Sequence, residues 1–245
     1  MKTVFYEAGS RGYAKHGWLT THHSFSFASY YDPERMGFGA LRVLNDDQIA
    51  PGSGFGRHSH DNMEIITIPL SGSLRHQDSM GNSAIVTTGE VQVMSAGTGV
   101  EHAEYNASET EDLTLFQIWI LTAKHDTVPR YDQRRFDPAE YHNMFRQVVG
   151  PMDTQDGLAI HQDARISLGR FEAGEECVYT PTTKDYGVYF LVIEGEATVA
   201  GKRLLKRDAL GVWGTEKIPL KADGTVFLLS IEVPMKEMYT GGHNE

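Results

Sequence analysis

The sequence predicts an all-β protein of two consecutive β units joined by a short helix. Two observations carry the strand content. Short runs of β-branched and aromatic residues recur at 40–44, 64–70, 84–88, 91–94 and 113–121, each bounded by Gly, Pro, Asn or Asp, which is the spacing of a sandwich or barrel. The same habit returns at 166–171, 188–193, 197–200, 209–213 and 226–233. A third observation separates the two sets: the stretch 122–151 is polar, mixed in charge and poor in alternation, as a segment crossing between units would be.

Within that segment, Asp137-Pro138-Ala139-Glu140 supplies an N-cap, a proline at the first helical position and a Glu at N3, so a short helix is expected to start there. The boundary then falls near residue 135. It gives a first unit of 1–135 and a second of 136–245, the second ending in a short, flexible, Gly-rich tail that holds His243. The halves also read as diverged copies. Ile68-Pro69-Leu70-Ser71-Gly72 is echoed by Val192-Ile193-Glu194-Gly195, and the turn at Gly97 by the turn at Gly214.

Composition narrows the function classes. With 40% hydrophobic and 22% charged residues the chain is neither disordered, collagenous nor a coiled coil. Acidic residues outnumber Lys plus Arg by 33 to 22, so a phosphate backbone would be bound against the field of the whole molecule. Direct nucleic-acid binding is not expected, whereas a protein partner is compatible with this charge. The basic group Lys202, Arg203, Lys206 and Arg207 reads as a solvated turn. One cysteine, Cys177, cannot form an internal disulfide or supply the thiolates of a structural metal site, which fits a reducing compartment. Glu7 interrupts the N-terminus before any apolar segment forms, and no stretch approaches the ~20 apolar residues of a membrane span. A cytoplasmic protein without a membrane partner is expected.

Histidine carries the chemical signal. In Gly52-Ser53-Gly54-Phe55-Gly56-Arg57-His58-Ser59-His60-Asp61-Asn62-Met63-Glu64, a strand would place His58, His60 and Glu64 on one face, because successive side chains alternate. Further on, His102 and Glu104 form a second i, i+2 pair. Three neutral imidazoles and a carboxylate suit Fe, Mn, Ni, Cu or Zn and not Mg or Ca. Phe25, Phe27, Phe38, Phe55 and Met63 are candidates for an aromatic pocket or for ordinary core. His22 and His23 read as structural, and His161 has no partner at ligand spacing.

These residues resemble a known family. Gly52, His58-x-His60, Glu64 and Gly72 are similar to the first cupin motif. Gly89, Gly97, His102 and Asn106 are similar to the second, with Ser95 in the place of the usual proline. The finer resemblance is to the pirins, through 58–64, His76-Gln77-Asp78-Ser79-Met80-Gly81 and 94–104. His16-Gly17-Trp18-Leu19 and His23-Ser24-Phe25-Ser26-Phe27 resemble the bacterial quercetinase-like branch of that family.

The resemblance implies two consecutive cupin (jelly-roll) barrels, with the metal in the first. It implies one divalent transition metal, Fe(II) foremost, with Ni, Mn, Co, Cu or Zn as alternatives, held by His58, His60, His102 and Glu104. Four protein ligands on a six-coordinate metal leave two positions for a substrate oxygen and dioxygen. The implied activity is that of a quercetin 2,3-dioxygenase, an oxidoreductase that opens a flavonol with O2 and releases CO. Glu104 would be catalytic, taking the 3-hydroxyl proton, while Phe55, Met63 and Glu64 would contact the substrate, Glu64 from behind the ligands. Aligning Gly72 with Gly195 puts Pro181 and Thr183 where His58 and His60 would be, and aligning Gly97 with Gly214 puts Pro219 and Lys221 at His102 and Glu104. The second unit is therefore expected to lack metal ligands. The competing expectation, associated with eukaryotic pirins, is a metal-containing redox sensor that regulates transcription through a protein partner.

Overall fold

The computed structural model describes residues 1–235, and the expected tail with His243 lies outside the described residues. The first half holds β1 (Lys2–Tyr6), β2 (Gly12–Lys15), β3 (Leu19–His23), β4 (Leu41–Ile49), β5 (Gly54–His60) and β6 (Met63–Ser71). It continues with β7 (Ser73–Asp78), β8 (Ser83–Thr87), β9 (Glu90–Ser95), β10 (Val100–Asn106), β11 (Leu113–Leu121) and β12 (Arg130–Arg135). The second half holds β13 (Phe145–Pro151), β14 (Leu158–Ile160), β15 (Arg165–Phe171), β16 (Glu176–Tyr179) and β17 (Tyr186–Glu194). After these come β18 (Ala197–Val199), β19 (Lys202–Leu204), β20 (Ala209–Trp213), β21 (Ile218–Ala222) and β22 (Val226–Pro234).

Each half closes a large sheet over a small one, which is the jelly-roll arrangement expected. In the first, seven strands in the order β12-β9-β6-β11-β4-β3-β2 face the four strands β5-β10-β7-β8. In the second, β1-β20-β17-β22-β15-β13-β14 face β16-β21-β18-β19. The strand that opens the chain thus pairs in the second barrel, from Lys2 opposite Trp213 to Tyr6 opposite Ala209, and not in the 1–135 unit where sequence order places it.

Two further expectations are corrected. The stretch 122–151 contains β12 and β13, each extending a large sheet. β12 escaped the pattern because it is an edge strand with mostly exposed side chains, and such edges carry charge instead of alternating apolar residues. The run at 40–44 continues as β4 to Ile49, since Asn45-Asp46-Asp47 is strand and not the turn its composition resembles. The expected helix is present as a single 3-10 turn, Pro138–Tyr141. The Asp137 side chain accepts from the Ala139 amide, and the Glu140 side chain accepts from the Asp137 amide.

The largest apolar core lies between the barrels. Ile66 and Ile68 of β6 and Phe116, Ile118 and Ile120 of β11 pack in one cluster with Ile166 and Leu168 of β15 and Leu229, Ile231 and Val233 of β22. Alternate residues of the same strands, Ile65, Thr67, Gln117 and Trp119, must point into the first barrel. The interior of the second barrel is filled by Phe171, Val188, Phe190 and Leu228, with the Tyr179 and Phe190 rings edge to face at 5.3 Å. On β21 the apolar residues face this core, and Pro219 and Lys221 face outward, Lys221 lying 3.9 Å from Glu176.

Polar contacts also join the halves. Asp46 accepts from Arg11 Nη1 at 3.1 Å and from Arg207 Nε at 2.8 Å, and Asp208 accepts from the Ala8 amide at 2.8 Å. The rest of the basic group is matched locally, Lys206 with Glu194 at 2.8 Å and Arg203 with Glu196 at 2.5 Å, while Lys202 sits over the Phe5 ring. No helix among the described residues is long and apolar enough to cross a membrane.

At the junction Phe25 packs against Tyr6 and Tyr189, with ring centroids 5.8 and 5.6 Å away. Phe25→Ala should therefore lower the stability of the whole chain by about 3–5 kcal/mol, read as a single shifted transition in urea. A fragment of residues 1–135 would expose the β6–β11 side of the joint core and should be insoluble. A soluble, monomeric fragment would show that the two barrels do not depend on each other.

Candidate metal centre

The site is built on the small sheet of the first barrel. β5 and β10 run antiparallel, with His58 opposite His102 and His60 opposite Val100. Alternation puts His58 and His60 on one face of β5, as expected. Between His58 and Phe55 the register shifts, because Phe55 pairs with Glu104 and two intervening residues on β5 face one on β10. This bulge turns Phe55 to the same side as the histidines. Gly54 permits the crossing, since a Cβ there would collide with the Glu104 carbonyl and the Tyr105 Cα.

The three imidazoles converge. Ring centroids lie 4.8 Å apart for His58 and His60, 4.4 Å for His58 and His102, and 4.9 Å for His60 and His102. One nitrogen from each falls within 4.8 Å of the others. His58 Nδ1 donates to the Gly56 carbonyl at 2.8 Å; a carbonyl can only accept, so Nε2 keeps its lone pair. His102 is 1% exposed, and neither of its ring nitrogens has a hydrogen-bond partner. A buried polar atom left unpaired costs about 1–3 kcal/mol, so this ring fits a bound cation better than an empty barrel. Burial, with the neighbouring imidazoles adding to it, pushes His60 and His102 down to about 3. Both rings are therefore neutral at neutral pH, with lone pairs available.

Glu104 lies beside them on β10, 2% exposed. Its Oε1 accepts from Gln92 Nε2 at 3.2 Å and Thr67 Oγ1 at 3.4 Å, and its Oε2 accepts from Gln117 Nε2 at 2.8 Å. These donors come from β9, β6 and β11 of the large sheet, so the carboxylate spans the barrel. Glu104 falls within 4.8 Å of His102 and His76, while His58 and His60 converge on His102, so His102 is common to both groups of potential ligand atoms.

His76, part of the 76–81 motif, joins the site although its sequence position assigns it no role. Register places it opposite Glu104 on β7. It is fully buried, stacks on Tyr131 at 4.6 Å, and shares a hydrogen bond of 3.0 Å with Asp78 Oδ2. With His102 and Glu104 it forms a second group within 4.8 Å. The i, i+2 pairing of His76 with Asp78 was the available signal.

The imidazoles and Glu104 form part of the wall of a cavity of about 180 Å³, completed by Phe27, Asn45, Asp47, Phe55, Ile65, Gln117 and Trp119. Trp119 meets His60 edge to face at 4.9 Å and Phe27 at 5.3 Å. His23 is structural, its Nδ1 lying 2.8 Å from Asn45 Oδ1. Asp47 is 4% exposed, and burial above all, with Asp46 and Glu104 nearby, pushes its carboxyl up to about 7. Sequence reasoning missed Asn45 and Asp47, whose turn-like composition falls past the run at 40–44, and Gln117 and Trp119, which lie in a run read only as a strand.

Two expected substrate contacts are elsewhere. Glu64 does not share a face with His58 and His60: the turn at Asp61-Asn62, with Asn62 at φ 45°, ends β5 and resets the alternation. It lies on the Ile66 side of β6, 1% exposed, and accepts from Ser95 Oγ at 2.6 Å. Met63 packs with Ile65, Met94 and Val100. Neither lines the cavity, whereas Phe55 does. Of the other candidate aromatics, Phe27 lines it, and Phe25 and Phe38 belong to the core between the barrels.

Residues 6–120 match the Pirin family, and residues 147–233 match the quercetinase C-terminal cupin domain. A quercetin 2,3-dioxygenase of Escherichia coli is 44% identical over 229 residues, covering 93% of this chain and 97% of that protein. A pirin-like protein of Caulobacter vibrioides is 45% identical over 202 residues, covering 82% and 86%. The crystal structure of a bacterial pirin from Escherichia coli in complex with nickel(II) superposes with a TM-score of 0.90 at 42% identity, covering 95% of this chain and 99% of that one. Similarity of this extent runs through both barrels in the same order, and the chain belongs to the pirin family.

Proposed function

We propose that the protein is a metal-dependent dioxygenase of the quercetin 2,3-dioxygenase type. It would hold one divalent transition metal on His58, His60, His102 and Glu104 and open a flavonol with O2, releasing CO. The observation that carries the reading is the convergence of three imidazoles on the face of an aromatic-walled cavity, with His102 buried and unpartnered. The names of the relatives support the chemistry, and the nickel in one of them supports the metal. Fe(II) is the metal we favour, while the donor set is equally suited to Ni, Mn, Co, Cu or Zn. Cys177 as the lone cysteine fits action in the cytoplasm.

The bound metal would supply open coordination positions and Lewis acidity for the substrate oxygen and dioxygen. The chain's own residues do the rest. Phe27, Phe55 and Trp119 offer apolar faces to an aromatic ring and exclude water from it. A volume of about 180 Å³ is below the ~300 Å³ of pockets that swallow a drug-sized ligand, so one ring of the flavonol enters and the remainder lies at the mouth, where His58 and His60 are half-buried. Glu104 takes the 3-hydroxyl proton, and Gln92, Gln117 and Thr67 fix the carboxylate for that transfer.

Metal-loaded protein incubated with flavonols under oxygen should release CO into the headspace. Loaded protein that consumes no flavonol would move the reading to the redox-sensing regulator with a protein partner. Elemental analysis should find about one metal per chain, with His58→Ala or His102→Ala losing most of it and Glu64→Gln keeping it. Two metals per chain would defeat the ligand assignment. Glu104→Gln should lose about 10²-fold or more in turnover, the scale of a general base, while retaining much of the metal. Unchanged turnover in this variant at full metal would assign the proton transfer to another group.

A further inference from the structure

The large sheet supplies the cavity wall across from the small sheet that bears the imidazoles. Register pairs Thr21 with Asp47 and His23 with Asn45 across β3 and β4, and Asn45 with Gln117 across β4 and β11. Asn45 is met by His23, and Gln117 donates to Glu104. Asp47 differs. It lines the cavity at 4% exposure, one side of its carboxyl is met by the Thr21 hydroxyl, and its Oδ1 has no hydrogen-bond partner. A buried carboxyl oxygen left unpaired carries a cost, which a hydroxyl donor arriving from the cavity would relieve.

We propose that Asp47 is a hydroxyl-binding subsite, which hydrogen-bonds a phenolic hydroxyl on the ring that enters the cavity and so selects polyhydroxylated aromatic ligands. The ligand class rests on the flavonol reading above; the subsite rests on the unpaired oxygen. The chemistry is suited to a phenol in particular. A phenolic O–H both donates and accepts, and a carboxyl group can match it whether or not it carries a proton. Ligands with hydrogen or an ether at that position leave Oδ1 unmet, which is the kind of site that discriminates strongly. Asp47 also stands apart from Trp119, which pairs with Val43 on the other side of the Asn45–Gln117 pair, so the polar subsite and the indole occupy different ends of the wall. Asp47 is a positioning residue in this scheme: it touches the ligand away from the metal ligands and sets which ring enters and how.

The test is calorimetric binding to the nickel-loaded full chain without oxygen, so that no turnover is required. The ligands are quercetin and the set of deoxy analogues that each lack one hydroxyl. Wild type should bind one of these analogues about tenfold more weakly than quercetin, the scale of one hydrogen bond to a buried partner. Asp47→Leu should weaken quercetin by a similar factor and leave that one analogue unchanged. Asp47→Asn, which keeps an acceptor oxygen, should retain most of the affinity. Equal losses for quercetin and every analogue would mean a purely structural role and overturn the proposal. So would a wild type that binds all the deoxy analogues as tightly as quercetin, a result that stands even if Asp47→Leu does not fold. Coupling seen without CO release in the turnover assay would sink the dioxygenase reading alone, and CO release without coupling would sink this subsite alone. A wild type that binds no flavonol overturns both.

Discussion

Face-to-face burial of the two seven-stranded sheets is the constraint on which everything else depends. β6, β11 and β4 are covered on one side by the other barrel and on the other by their own small sheet, so each strand serves two environments with alternating residues. The side shared between barrels is mainly apolar, with Glu64 and Asp46 as paired exceptions, and is large enough to carry much of the stability. This frees the inner side of the first barrel to be polar. Asn45, Thr67, Gln92 and Gln117 are 0–8% exposed, an arrangement that is tolerable only because they bond one another, His23 or Glu104. The second barrel makes the opposite choice and fills its interior with aliphatic side chains and the rings of Phe171 and Phe190, leaving no cluster of potential metal ligands there among the described residues.

Charge is handled with the same economy. Burial keeps His60 and His102 neutral, and beside His102 lies one carboxylate whose lone pairs are met by amide and hydroxyl donors from three strands. A carboxylate in such a place needs fixed donors, since the interior solvates it poorly. The donors also fix its orientation, so the placing of the Glu104 carboxylate depends on the large sheet as much as on β10, which carries it.

What was legible in the chain follows from range. Alternation over two residues is local, and it placed His58 with His60 and paired His102 with Glu104. The same rule failed where the backbone broke its own period. The bulge between Phe55 and His58 brings Phe55 inward, and the turn at Asp61-Asn62 sends Glu64 to the far side. Asn45-Asp46-Asp47 has turn-like composition in a strand interior, so two cavity residues were hidden there. Their side chains are met by Thr21 and His23, partners that only the register reveals. The pairing of β1 is the extreme case: Lys2-Thr3-Val4-Phe5-Tyr6 is strand-like by composition, yet nothing local names Ala209–Trp213 as its partner.

That pairing has a consequence for how the chain comes into being. The ribosome delivers residues 2–6 long before residues 209–213, so β1 leaves the exit tunnel without the edge it will join. The first barrel can form around its own strands while β1 stays unpaired, and only synthesis of β20 lets that segment dock. During this interval an unpaired strand beginning Thr3-Val4-Phe5 is exposed to neighbouring chains, the circumstance in which edges exchange partners. β1 is therefore committed only after β20, although it is made some two hundred residues earlier, and the second barrel is closed by a strand that precedes the whole of the first.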